Sequence, residues 1–192
     1  GAGPGVVCVH SNASSSSQWR ALIDRLAPNF HVLAADSYGA GRGPAWPTGR
    51  PVRLRDEAAL LEPVFERAGE PFVLVGHSYG AAVALVAALA RPGRVRALAL
   101  YEPTLFSLLE AESAAPNDAD GIRAAVADAG AALDAGHPEV AARRFIDYWM
   151  GDGAWARMPE ARQAPILASI VHVRGWGDAL FGYAVYIGFV RP

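Results

Sequence analysis

An α/β fold built on a parallel sheet is the fold class that this 192-residue sequence predicts. Short apolar runs suited to buried strands alternate with helical patterns of about 10 to 15 residues. One such run leads into Gly-x-Ser-x-Gly at residues 76–80, and an apolar stretch without Gly or Pro follows it. The composition is 52% hydrophobic and 19% charged, which supports a real core and argues against disorder.

The first half of the chain supplies the predicted sheet. Its four apolar runs, each bounded by turn residues, lie at 5–10, 30–35, 71–75 and 95–100. Helical spacing predicts helices over 18–26 and 53–68 and another from the serine motif to Pro92. Pro63 should kink the second of these or mark a restart, and the Gly- and Pro-rich residues 37–49 form a loop. Helices should therefore cover both faces of the sheet.

After Glu102 the sequence predicts a helical, lid-like segment, so residues 1–103 form the core and 104–192 the lid-like region with a C-terminal tail. Helices are expected within 111–136, over 138–150 and over 158–170. Residues 170–178 have two interpretations. One is a further lid helix over 168–181, and the other is a fifth strand that ends at Asp178. The helix is favoured because Gly175 and Gly177 supply only part of the turn chemistry that the strand needs.

The Gly-x-Ser-x-Gly segment predicts a nucleophile rather than an ordinary serine in a turn. Strand, sharp turn and helix is the context in which this motif exposes its serine. Gly76 and Gly80 leave room for the strand and the helix to approach each other. The turn lifts Ser78 Oγ above the sheet edge at the positive end of a helix, where developing negative charge is stabilised.

Several segments occur in the order and spacing of one known family. They are residues 7–10 with the polar loop after them, Trp19, residues 32–43, residues 76–80 and residues 98–103. On these segments the first half of the chain resembles the α/β-hydrolase superfamily of the esterase and lipase type. The resemblance implies a nucleophilic Ser78 and an oxyanion hole formed by the backbone N–H of Tyr79 and of a residue just after His10. Family members usually have His-Gly there. This chain has His10-Ser11, so Asn12 is the first choice and Ser11 the second.

A serine nucleophile needs a base and an acid that orients it, and the family order is Ser, then acid, then His. Of the five histidines, His10 and His77 are expected to form hydrogen bonds beside the site. His172 is the candidate base, with Glu102 or Asp178 as its orienting acid. No histidine follows Asp178, so the resemblance implies a hydrolase shortened at both ends.

Two functions are compatible with these residues. The first is a serine carboxylesterase that acts on small acyl esters. The second is an impaired relative that binds a small ligand or a partner without efficient turnover. Perhydrolases, thioesterases, acyltransferases and C–C hydrolases share the same motifs. A haloalkane dehalogenase is disfavoured because its nucleophile is a carboxylate where this chain has Ser78.

Charge and composition exclude other classes of partner. The net charge is −2 and the 17 basic residues, all Arg, are scattered, which argues against nucleic acid. No apolar stretch reaches the roughly 20 residues of a membrane span, and no residue spacing indicates a metal or cofactor. The chain starts at Gly1 without Met, so a leader could have been removed; a cytoplasmic location is the default. The apolar, β-prone tail at 184–190 favours a symmetric homodimer over pairing within its own sheet.

Overall fold

The computed structural model describes residues 1–183. Its centre is a four-stranded parallel sheet with the strand order β2-β1-β3-β4. The strands are β1 (Gly5–Val9), β2 (His31–Ala35), β3 (Phe72–His77) and β4 (Val95–Tyr101). Each lies within two residues of its predicted run, because apolar runs bounded by turn residues are a local signal for strands of a parallel sheet. Of the four, β1 is buried along its whole length, whereas β4 is mostly exposed.

The strand order places a switch point between β1 and β3. The chain passes from β1 to β2 on one side and then returns to β3 on the other side of β1. Val9 at the end of β1 pairs with Ala35 and with Gly76, so the carboxyl ends of these strands lie at one edge. In open parallel sheets, ligands bind outside this edge at such a switch point.

Helices flank the sheet as predicted. They are α1 (Arg20–Leu26), preceded by a 3₁₀ turn at Ser16–Trp19, α2 (Leu54–Leu60), α3 (Glu62–Ala68) and α4 (Tyr79–Leu89). The predicted helix over 53–68 is therefore two helices, which meet at Leu61. Pro63 lies in the first turn of α3, where its missing N–H costs nothing, and it marks a restart.

The second half is helical. It contains α5 (Ser107–Glu112), α6 (Asp120–Asp134), α7 (Pro138–Met150), α8 (Ala154–Arg157), α9 (Glu160–Ser169), a 3₁₀ turn at Ile170–His172 and α10 (Val173–Phe181). The alternative of a fifth strand ending at Asp178 is wrong. Val173, Trp176 and Leu180 recur at helical spacing and are buried together, which only a helix allows.

One hydrophobic core joins the two halves. Buried residues continue from β1 and α4 into α6, α7 and α10, and α10 packs against α6, α5 and α4. The helical segment therefore lies directly on the core, next to the turn at Ser78 between β3 and α4. The boundary at residues 103/104 stays a prediction.

The predicted dimer through the tail lies outside the described residues and stays a prediction. Within residues 1–183, β4 is an edge strand, and Leu98 and Tyr101 on it are exposed. None of the helices in this part of the chain combines the length and apolar character that crossing a bilayer requires.

Candidate active site

Ser78 occupies a strained turn between β3 and α4. Its φ of 53° lies in the left-handed region that residues other than glycine rarely adopt. The Ser78 N–H donates to the carbonyl oxygen of Tyr101 at 2.9 Å, which extends the β3–β4 pairing by one residue. The side chain does not cap α4, so its hydroxyl remains available for other contacts.

The two glycines of the turn are required by close contacts. A Cβ on Gly80 would lie 2.3 Å from the carbonyl oxygen of Val9 and 2.5 Å from that of His10. A Cβ on Gly76 would lie 2.6 Å from Ala81 Cα. Gly80 thus lets α4 begin against the end of β1, which brings the loop after β1 beside Ser78.

Backbone strain is concentrated at this edge of the sheet. Within the described residues, the non-glycine residues with positive φ are Ala13 at 53°, Ser78 at 53° and Glu102 at 48°. They follow the carboxyl ends of β1, β3 and β4 respectively. Residues held in such conformations are commonly found at functional sites, so the strain independently marks this edge as the candidate site.

A small cavity opens beside Ser78. Asn12 and Thr104 supply its other polar side chains, and helices of the second half contribute apolar ones. These include Phe106, Ile122, Phe145, Trp149, Trp176 and Leu180. The cavity volume is about 20 Å³, which suits one water or a small group.

The geometry distinguishes the two candidate donors after β1. The Ser11 N–H donates to Gln18 Oε1 at 3.1 Å, and the Ser11 hydroxyl donates to the same oxygen at 2.9 Å. Asn12 lines the cavity with Ser78. The N–H of Tyr79, the first residue of α4, has no acceptor within the helix. Ser78 and Asn12 therefore meet at the cavity, with Tyr79 next to Ser78 in the chain, whereas the Ser11 N–H is already engaged.

His10 holds the loop after β1 in place. The ring is buried, its Nδ1–H donates to the Ser11 carbonyl oxygen at 2.7 Å, and its Nε2 accepts the N–H of Ser37 at 3.0 Å. Burial lowers the pKa of His10, which keeps the ring neutral and suits a nitrogen that accepts a backbone N–H. Both ring nitrogens are occupied, so His10 ties β1 to the loop after β2.

His77 is the centre of a polar chain that the sequence did not reveal. Gln18 Nε2 donates to His77 Nδ1 at 2.9 Å, so the ring proton is on Nε2 and points to Glu102 Oε2 at 3.3 Å. Because Gln18 also accepts from Ser11, the chain connects the loop after β1 to the end of β4. Gln18 is thus a positioning residue that sequence reasoning took only for the start of a helix.

His172 lies against the loop after β2. Its ring stacks on Trp46 with a centroid distance of 4.8 Å, and a Cβ on Gly39 would lie 2.7 Å from its Nε2. Burial lowers the pKa of His172. Among the described residues, neither His172 nor Asp178 lines the Ser78 cavity, and Asp178 is on the exposed face of α10. The structure therefore does not bring the candidate base and this acid to Ser78.

Glu57 is a buried carboxyl next to the nucleophile turn. Its oxygens accept the Tyr79 hydroxyl at 3.4 Å and the Tyr38 N–H at 3.3 Å. Burial raises the pKa of Glu57 from 4.5 to about 7, an effect greater than the opposing effect of the two hydrogen bonds. The sequence contained a signal, since helical spacing puts Glu57 on the same face as Leu54 and Leu61.

Replacing Glu57 with glutamine should change how stability depends on pH. The folded protein retains a proton that the unfolded chain loses above pH 4.5, so the wild type loses stability as pH rises to about 7. Between pH 4.5 and 7 the free energy of unfolding of the wild type should fall by about 3 kcal/mol, and Glu57→Gln should not show this fall. Urea unfolding of both proteins from pH 4.5 to 8 measures it, with the exposed Glu66→Gln as control. If the free energy of unfolding depends on pH in the same way in wild type and Glu57→Gln, the raised pKa of Glu57 is contradicted.

Two other side-chain features bear on the chemistry. Burial raises the pKa of Cys8 to about 12, so the thiol is not a competing nucleophile. Within residues 1–183, no three His, Cys, Asp or Glu side chains cluster in a way that would hold a metal ion. The chemical groups assembled at the switch point are therefore the serine and its hydrogen-bonding neighbours.

Comparison with known proteins gives relatives that match about half of the chain. The chain is 35% identical over 101 residues to Lipase LipV of Mycobacterium tuberculosis, which covers 52% of this chain and 37% of that protein. It is 33% identical over 112 residues to a haloalkane dehalogenase of Agrobacterium fabrum, covering 56% of this chain and 35% of the relative. The chain thus spans about a third of the length of these relatives.

Solved structures and a family profile extend the likeness over more of the chain. An α/β hydrolase from Sphaerobacter thermophilus superposes with a TM-score of 0.70 at 26% identity, covering 95% of this chain and 67% of that one. The sequence profile described as alpha/beta hydrolase fold matches residues 4–148, which is well over half of the chain. The chain therefore belongs to the α/β-hydrolase family.

Proposed function

We propose that the chain is a serine hydrolase of the carboxylesterase type that acts on small acyl esters. The observation that carries this proposal is the free hydroxyl of Ser78, held at positive φ on a strand–turn–helix at the switch point of the sheet. Membership of a family that includes a lipase supports hydrolysis but leaves the kind of ester open. The small, largely apolar cavity supports a short acyl group.

The chemistry would proceed through an acyl-enzyme. Ser78 Oγ attacks the ester carbonyl carbon and gives its proton to a base, and the N–H groups of Tyr79 and Asn12 stabilise the oxyanion. The alcohol leaves with a proton, and water then releases the acid by the reverse sequence of steps. Donors placed for an oxyanion are worth about 3 kcal/mol each.

The general base of this mechanism is not among the described residues that line the Ser78 cavity. For His172 to serve, its ring would have to leave Trp46 and approach Ser78. We therefore expect His172→Ala to retain at least about a third of the turnover, whereas removal of a true general base costs about 10²-fold or more. Trp46→Phe, which keeps an aromatic partner, controls for lost packing. A loss of 10²-fold in His172→Ala alone would restore His172 as the base.

The proposal is tested by hydrolysis of a series of p-nitrophenyl esters. Acetate and butyrate should be hydrolysed at a rate that depends on Ser78, and decanoate much more slowly, because the cavity of about 20 Å³ does not accommodate a long chain. Wild type and Ser78→Ala are compared at each chain length. Equal rates for the two proteins on acetate would reject the serine mechanism.

A second candidate function has its own supporting observation. Among residues 1–183, the residues that line the Ser78 cavity include no histidine. A relative that binds a small ligand without efficient turnover would have this arrangement. Binding and oxyanion effects alone leave about 10³-fold catalysis over water, so a weak rate does not by itself identify the esterase, whereas its loss in Ser78→Ala does. Binding of a small ester with no Ser78-dependent rate supports the second candidate.

A further inference from the structure

Thr104 has a buried hydroxyl group beside the Ser78 cavity. It lies between β4 and α5, is 7% exposed, and its Oγ1 has no hydrogen-bond partner within the described residues. Leaving a buried hydroxyl unpaired is costly, so such a group needs an explanation. Three other buried polar atoms in this part of the chain share the property, namely Trp19 Nε1, Ser37 Oγ and Ser107 Oγ. Of the four residues, only Thr104 lines the Ser78 cavity.

The position of Thr104 follows from the sheet. Tyr101 accepts the N–H of Ser78 at the end of β4, and Thr104 comes three residues later at the same edge. The polar side chains of the cavity are then Ser78, Asn12 and Thr104, and the remaining lining is apolar or aromatic. In the proposed mechanism, Ser78 Oγ attacks the carbonyl carbon and the Asn12 N–H donates to the oxyanion. The Thr104 hydroxyl is left for a further polar atom of the substrate.

We propose that Thr104 Oγ1 binds a hydroxyl group on the acyl part of the substrate, so that short hydroxyacyl esters are the preferred substrates. This inference rests on the proposed function. A hydroxyl both donates and accepts hydrogen bonds and so matches the threonine hydroxyl. A plain acyl chain of the same length leaves Thr104 unpaired. Sites built to hydrogen-bond a substrate hydroxyl discriminate strongly against the analogue that lacks it.

The test compares p-nitrophenyl 3-hydroxybutyrate with p-nitrophenyl butyrate. We expect kcat/KM of the wild type to be at least about 10-fold higher for the hydroxy ester. Thr104→Val keeps the shape and removes the hydroxyl, so it should lose that preference. Thr104→Ser should restore the preference. Ser107→Ala, which removes an equally buried hydroxyl outside the cavity, should leave it unchanged.

Folding and turnover are controlled separately. Because the Thr104 hydroxyl has no hydrogen-bond partner among residues 1–183, the thermal midpoint of Thr104→Val should be no lower than that of the wild type. A marked drop would show that the hydroxyl has a structural partner and would overturn the proposal. NMR titration compares the affinities for 4-hydroxy-2-pentanone and 2-pentanone. This readout does not depend on hydrolysis.

The two proposals fail in different ways. Preferential binding of the hydroxyketone that Thr104→Val abolishes supports the Thr104 site, even if Ser78-dependent hydrolysis is absent and the esterase proposal falls. Ser78-dependent hydrolysis with no difference between the two esters leaves the esterase standing and overturns the Thr104 site. The Thr104 site is also overturned if Thr104→Val changes kcat/KM equally for the two esters and affinity equally for the two ketones.

Discussion

Replacing Ser78 with alanine is expected to lower kcat/KM for p-nitrophenyl acetate by about 10³-fold, leaving the residual rate that binding and the oxyanion donors supply without the nucleophile. The expected loss is smaller than the roughly 10⁶-fold loss measured for the nucleophile of a complete triad, because no histidine lines the cavity among the described residues. Without Oγ no acyl-enzyme can form. Initial-rate measurements on both proteins at pH 7.5 give the ratio.

The matched control is Ser113→Ala, which changes an exposed serine outside the cavity. It should retain wild-type turnover and stability. Circular dichroism and the thermal midpoint of Ser78→Ala should match those of the wild type, since the hydroxyl does not cap α4. A Ser78→Ala protein that folds normally and still hydrolyses the ester at the wild-type rate contradicts the assignment.

Replacing Gly80 with alanine is the second change with a large expected effect. The added Cβ would meet the Val9 and His10 carbonyl oxygens at 2.3 and 2.5 Å, and neither the end of β1 nor the start of α4 can give way cheaply. We expect a loss of about 3 kcal/mol in the free energy of unfolding. The loop that carries Asn12 should move with β1, and a displacement of about 1 Å is enough to cost 10²-fold in rate.

The control for Gly80→Ala is Gly93→Ala. Gly93 also has a positive φ, 83°, but a Cβ there would meet nothing within 4 Å. Its substitution should cost only the conformational strain of about 1–2 kcal/mol and leave turnover unchanged. Urea unfolding and ester hydrolysis of the two variants separate steric contact from strain. If Gly80→Ala and Gly93→Ala lower stability and turnover equally, the close approach of α4 to β1 contributes to neither.

Most of the fold could be predicted from the sequence because its elements carry local signals. The strands are apolar runs between turn residues, and Pro63 indicated a kink or a restart, which the structure shows as the start of α3. Residues 170–178 were ambiguous because alternation and helical spacing overlap in a short apolar stretch. The structure resolves them as helix through the joint burial of Trp176 and Leu180 against the rest of the core.

The candidate site was predictable only in part. Ser78 and the loop after β1 could be named because the turn chemistry of glycine marks them. Gln18 and Thr104 could not, since their roles depend on which side chains of distant elements meet them. His172 became the candidate base because the other four histidines had other expected roles, but Gly39 and Trp46, far earlier in the chain, determine where its ring lies.

The most direct measurement of the central claim is covalent labelling of the protein with a fluorophosphonate, followed by peptide mapping. A reactive Ser78 at the cavity predicts a single adduct per chain, located on the peptide that contains Ser78 and lost in Ser78→Ala. Ser113→Ala should be labelled like the wild type. Labelling that persists unchanged in Ser78→Ala would contradict the account.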